Sequence, residues 1–244
     1  MGWSSWREHF ERNAARPLPP LRPSVHEVPA AWRGALARSL ARFQVGESGE
    51  GRIAHEIDRA SLPGVDADYR AALKRFVAEE GRHARILGGL VQALGGQLLA
   101  RTWTERLFVH GRRLLGVRAK LLVLLAAEVV GIGFYGALAA RLPEGAVRRA
   151  LEELCADEEA HLRFHCDFFR LQASTRAARL VFHSAWWPLV LTACTVVLLD
   201  HRYALSALGL AQGSVARVLL QRAAEAARAV LHVRAPMRAA LPLP

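Results

Sequence analysis

Two glutamate–histidine tetrads, Glu80-Gly81-Arg82-His83 and Glu158-Glu159-Ala160-His161, are the residues of this sequence best suited to chemistry. On a helix, positions i and i+3 project from one face, so each tetrad can offer a carboxylate and an imidazole to one metal ion. Composition alone would produce about one such tetrad in a chain with this much Glu and His, so spacing has to carry the argument. Each tetrad is preceded by alanine and an acid, Ala78-Glu79 and Ala156-Asp157, and each has a glutamate 30 residues upstream, Glu50 before Glu80 and Glu128 before Glu158. The whole pattern recurs at an offset of 78 residues, which marks an internal duplication.

The elements that must position these residues are helices. Apolar spacing is helical over Trp32–Ala60 and Asp68–Leu94, separated by Leu62-Pro63-Gly64, and again from about Leu114 to Leu142 and from about Gly145 to Gln172 across Pro143. No stretch alternates as a strand does, so the chain reads as all-α: two helical hairpins joined by a connection around Gln97–Arg113. Glu50 and Glu80 are equidistant from the first turn, and Glu128 and Glu158 from Pro143. Residues equidistant from a hairpin turn meet at one height. Stacking the hairpins brings four carboxylates and two imidazoles to one level. Two divalent cations would neutralise four negative charges that otherwise repel in a core of low dielectric. Oxygen-rich ligation with imidazole suits iron, manganese or a mixed Mn/Fe pair. Glu79 and Asp157, four residues before His83 and His161, can accept the second imidazole N–H and fix the tautomer.

With these residues in place, the segment from Gln44 to Arg170 resembles the ferritin-like di-iron carboxylate superfamily, which includes ferritins, bacterioferritins, ribonucleotide reductase small subunits, acyl carrier desaturases and demethoxyubiquinone hydroxylases. The resemblance implies a ferritin-like antiparallel four-helix bundle with additional C-terminal helices. It also implies two Fe ions, O2 as co-substrate, and an electron donor such as a reductase or ferredoxin. Val45-Gly46-Glu47-Ser48-Gly49 is similar to the first-ligand segment of the demethoxyubiquinone hydroxylases, and Ala126-Ala127-Glu128 with Tyr135 to their third. That similarity selects Glu47 as first ligand, whereas the internal repeat selects Glu50. His165, one turn after His161, is a further candidate ligand or a hydrogen-bonded neighbour. Tyr135, two turns beyond Glu128, is the candidate catalytic residue, with core packing as its ordinary role.

Three functions remain open at this stage. The first is an O2-dependent oxidase or oxygenase of a hydrophobic small molecule, a lipid or a quinone, sheltered by the apolar helix around Glu128 and its glycines Gly131, Gly133 and Gly136. The second is a ferroxidase or iron-binding protein, although a strongly basic chain ill suits a cation-collecting cage, so a monomer or dimer is expected. The third is an RNA-directed hydroxylase, supported by charge alone, and a nucleic-acid partner is not expected. The net charge of +11 comes almost wholly from arginine, since Lys74 and Lys120 are the only lysines. It admits contact with an anionic membrane through Arg112, Arg113 and Arg118, or through the arginines of the last helix.

Cys155, Cys166 and Cys194 form no CxxC pair and cannot close a disulfide framework, which fits a reducing cytoplasm. No secretory signal is recognised at the N-terminus. Leu121–Ala140 has the length of a membrane span but carries Glu128 at its middle, which argues for a buried functional position. Leu180–Leu199, with His183, Ser184 and Pro188, reads as a buried fifth helix or one lying in a single leaflet on the inner face of the membrane. Trp186-Trp187 suits a core and an interface equally. The expected organisation is a mobile or loosely packed arm over 1–30, the bundle over 31–172, and an apolar, basic helical extension over 173–244.

Overall fold

The computed structural model describes residues 2–20, 27–48, 51–100 and 116–231, and all regular structure among them is helical. The chain divides into two compact units, Met1–Lys120 with Pro143–Ala150 and Leu121–Leu142 with Leu151–Pro244.

In the first unit, α1 (Trp3–Ala14), α2 (Ala30–Glu47) and the short α3 (Gly51–Glu56) surround α4 (Ala67–Ala93). Asp66 caps α4 by accepting the Tyr69 N–H at 2.8 Å. The helix ends at Gly95, whose φ of 75° no β-carbon tolerates well, with the Gly96 N–H closing back on the Val91 carbonyl. Between these ends Leu73, Phe76, Glu80, His83, Leu87 and Leu90 are buried at helical spacing.

Over residues 3–17 the N-terminal segment is packed on α4 and is not the loosely packed arm expected of its composition. Trp6 and Phe10 are buried, Phe10 meets Phe76 at 6.3 Å, and Trp3 meets Tyr69 edge-on at 4.8 Å. Arg7 pairs with Asp68 at 2.7 Å, and Arg82 donates to the Pro17 carbonyl at 3.0 Å. Aromatic burial against α4 supplies the driving force that composition concealed. The expected single helix over Trp32–Ala60 is also corrected: α2 ends at Glu47, and α3 is followed by a 3-10 turn at Ile57–Arg59. Within this unit Glu27 accepts the Ala146 N–H at 2.7 Å, placing a carboxylate at a helix N-terminus.

The second unit is built on α5 (Val117–Arg141), which joins it at Leu121, α6 (Ala146–Gln172), which joins it at Leu151, and α7 (Arg176–Asp200), α8 (Arg202–Ala207) and α9 (Gln212–Leu231). Helix α5 is apolar all round and correspondingly buried. Helix α9 reaches three neighbours. A β-carbon on Gly133 of α5 would lie 2.5 Å from Leu219 Cδ2, so any larger residue here would have to displace that side chain. Arg170 of α6 donates to the Ala229 carbonyl at 2.9 and 3.1 Å. Trp186 of α7 is fully buried and donates to the Ala223 carbonyl at 3.2 Å, whereas Trp187 is only half-buried and donates to His183.

Candidate metal centre

The first unit contributes one half of the predicted ligand set, all from the middle of α4. Glu79, Glu80 and His83 are buried. Glu80 Oε1 lies 3.9 Å from His83 Nδ1, the i, i+3 juxtaposition that the tetrad predicts. Glu79 brings a carboxylate oxygen within 4.8 Å of a His83 ring nitrogen. Arg16 Nη2 holds Glu79 Oε1 at 2.8 Å. Sequence reasoning missed Arg16, because it stands in a Pro-rich stretch with no periodicity. Glu47 is half-buried at the end of α2, and Glu50 lies outside the described residues.

The second unit holds the other half. Glu128 projects from α5, while Glu158, His161 and His165 come from successive turns of α6, and all four are buried. Glu158 Oε2 lies 3.1 Å and Glu128 Oε2 3.7 Å from His161 Nδ1, and Glu128 Oε1 lies 3.7 Å from His165 Nε2. Two carboxylates therefore converge on one imidazole. Burial pushes His165 down to about 3, with the neighbouring His161 acting in the same direction and Glu158 opposing it, so its ring is neutral and has a lone pair. Gly131 lies beneath this cluster: its missing β-carbon would stand 3.5 Å from both Glu158 Cγ and the ring of Tyr135. Tyr135 is fully buried. Asp157 is buried one residue before Glu158.

The chemistry of the donors fits iron or manganese. Each half presents buried carboxylate oxygens and imidazole nitrogens, a hard-to-borderline set. The thiols face elsewhere: Cys155 approaches the Ile132 carbonyl at 3.5 Å and Cys166 the Ala226 carbonyl at 3.9 Å. Burial, then the nearby Glu159 and Glu158, pushes the Cys155 thiol up to about 12, which removes it as a thiolate donor.

Beside the second half lies an ion cluster that sequence spacing did not reveal. Arg222 of α9 is buried and bridges Glu159 at 3.0 Å and Glu225 at 3.1 Å. Burial raises Glu159, while Arg222 pulls it down. Arg222 is thus committed inside the unit and is corrected as a lipid-facing residue; Arg217 and Arg228 are exposed, while Arg234, Arg112 and Arg113 lie outside the described residues. Arg118 is exposed, as is His55, while Glu56 is bound to Lys120.

No known protein-family model matches the sequence, and no curated protein matches it. Solved structures do match the fold. Two variants of an R2-like ligand-binding oxidase, each with an anaerobically reconstituted Mn/Fe cofactor, align over 94% of this chain. One is 14% identical with a TM-score of 0.64 over 94% of its own chain, the other 13% identical with 0.63 over 93%. The chain has the all-α fold of the ferritin-like helical bundles.

Proposed function

We propose that this chain is an oxidoreductase that holds two metal ions, iron or a manganese–iron pair, and uses O2 to oxidise a hydrophobic small molecule. One observation carries the reading: Glu128, the single charge of the Leu121–Ala140 stretch, is buried where Glu158, His161 and His165 converge. A carboxylate is not retained in such surroundings without a partner to neutralise it. The duplication of this half on α4, as Glu80 and His83, supports one shared centre of Glu80, His83, Glu128, Glu158 and His161, completed by Glu50 or Glu47. The likeness to oxidases that carry a Mn/Fe cofactor agrees with it.

When bound in its reduced form, such a pair supplies O2 activation. The residues of the chain do the rest. The carboxylates balance the charge of the cations, and Glu79 and Asp157 hold the ligating imidazoles in one tautomer. Neutral His165 donates or accepts beside Glu128. The apolar wall of α5 keeps water from the reacting atoms, and Gly131 leaves room next to Glu158. Tyr135, fully buried one turn beyond Gly131 on α5, is assigned the role of proton or hydrogen-atom donor. The substrate class is an apolar molecule of the lipid or quinone kind, and reducing equivalents come from a reductase or ferredoxin.

The test is metal content per chain after anaerobic loading with Fe(II), alone and together with Mn(II), followed by O2 uptake and the near-ultraviolet absorbance change when air is admitted. Two tightly held ions and rapid O2 uptake are expected. Less than one ion per chain would refute the centre. Two ions without O2 uptake would keep the centre and reject the oxidase.

A further inference from the structure

Helix α7 buries one side and leaves the other apolar and uncovered. Phe182, Trp186, Val190, Ala193, Cys194 and Val197 face inward, against α9 and its neighbours in the second unit. On the opposite side Leu180 is 72% exposed, Val181 67%, Leu191 46% and Leu199 55%, and Tyr203 just beyond the helix is 66% exposed. From Leu180 to Leu199, within a helix of 25 residues, this face is about 28 Å long at the standard rise. Isolated exposed leucines are ordinary, but here two apolar clusters, Leu180-Val181 and Leu191 with Leu199, lie on one side of the helix with Ala185 and Pro188 exposed between them, which marks a binding surface.

Three further observations identify what covers it. From Leu180 to Leu199 the chain has no Asp, Glu, Lys or Arg. The exposed hydroxyls of the strip are turned onto the carbonyls of the helix itself: Ser184 to Val181 at 3.1 Å, Thr192 to Pro188 at 2.7 Å and Thr195 to Leu191 at 2.8 Å. They thereby offer little to a polar partner, as expected of a helix surface in an apolar medium. Arginine stands at both ends, Arg176 and Arg179 before the strip and Arg202 after it, all exposed and without an acidic partner among the described residues. Arg202 lies 4.8 Å from the ring of Tyr203, an aromatic of the kind that settles at headgroup level.

We infer that this face of α7 seats in the surface of an anionic phospholipid bilayer, its leucines in the acyl boundary and the flanking Arg176, Arg179 and Arg202 at the phosphates. A second copy of the chain is a poorer occupant. Whichever way a two-fold pair of α7 helices runs, arginine at the ends of one strip meets arginine of the other, and like charges in contact are repelled. A bilayer of negative headgroups meets all three with opposite charge. This inference is independent of whether the buried carboxylates hold metal.

The test is flotation of the full chain with vesicles of phosphatidylcholine alone or mixed with phosphatidylglycerol. Net charge of +11 attracts any anionic vesicle, so the variants decide. Leu180→Asn/Leu191→Asn leaves charge unchanged and should weaken binding by at least about ten-fold, from the apolar area it withdraws. Arg176→Gln/Arg179→Gln should weaken it by about five-fold per arginine removed, whereas Arg38→Gln/Arg85→Gln, with the same charge loss on exposed positions of the first unit, should change it little. Circular dichroism and the melting temperature, unchanged in these surface variants, exclude misfolding as the cause. No flotation with anionic vesicles, equal effects of the two arginine pairs, or undiminished binding of the asparagine variant would each overturn the inference. So would a dimer that the asparagine variant dissociates without loss of flotation.

Discussion

Replacing Glu128 with glutamine should make the metal-free protein more stable and at the same time remove its response to metal. Both Glu128 and Glu158 approach the same His161 nitrogen, at 3.7 and 3.1 Å, and both are buried. Two unit charges no more than about 7 Å apart, in an effective dielectric of about 20, repel by roughly 2–3 kcal/mol. Glutamine keeps the shape and deletes that repulsion together with the cost of burying the charge. The neighbouring His165, held down to about 3, is neutral at pH 7 and supplies no counter-charge. The metal-free variant should therefore gain roughly 1–3 kcal/mol, and each kcal/mol raises the melting temperature of a chain of this size by about 2–4 °C. Wild-type protein with metal at about a hundred times its dissociation constant should gain about 2.7 kcal/mol per site by mass action, a gain the variant loses in whole or in large part. Scanning calorimetry with and without Fe(II) under nitrogen reads both effects. If Glu128 were instead the fixed partner of a protonated His161, its loss would cost about 3–5 kcal/mol. A metal-free Glu128→Gln melting well below wild type would thus refute a carboxylate held in readiness for a cation.

Other expectations follow from the same coordinates. Gly133→Ala should lower stability by about 1–3 kcal/mol in urea unfolding, because its β-carbon meets Leu219 at 2.5 Å; adding Leu219→Ala should give a total smaller than the two losses added, as coupled neighbours do. Arg16→Gln should cost about 1–3 kcal/mol by leaving buried Glu79 without its guanidinium, discounted because Arg16 is itself about one-third exposed. The double variant with Glu79→Gln should recover part of that loss, and equal losses in the two would refute the pairing. In native protein all three thiols should react slowly with iodoacetamide at pH 8, since burial pushes Cys155 and Cys166 up to about 12 and Cys194 up to about 11. A thiol at about 12 is thiolate in roughly one molecule in ten thousand at that pH, and labelling should rise sharply on denaturation.

Much of this was legible in the residues. The long helices α4, α5 and α6 begin and end within a few residues of their expected limits, because Asp66, Gly95 and Pro143 punctuate them with ordinary capping and turn chemistry. The glutamate–histidine juxtaposition in each half follows from the i, i+3 rule, and Glu128 from the 30-residue offset of the duplication. What escaped has physical reasons. Helix α1 is held by two buried aromatics and a few arginine contacts, all made with a helix more than fifty residues away in sequence, and its Pro-rich sequel reads as disorder. The burial of Arg222 escaped because its partner Glu159 on α6 is supplied by tertiary packing and not by any spacing along α9. The Trp186-Trp187 pair divides: adjacent positions on a helix point about 100° apart, so one fills the core and the other reaches the edge.

Glu128 also has a consequence before folding is complete. Helix α5 meets the length and hydropathy that a translocation channel uses to admit a segment to the bilayer. A charged side chain at the centre of such a segment opposes admission by about 2.5–3.5 kcal/mol, and Glu128 is the only charge over Leu121–Ala140. On the ribosome, with no partner helix yet made, this carboxylate therefore biases the nascent segment toward the aqueous side, where its sister helices will later enclose it.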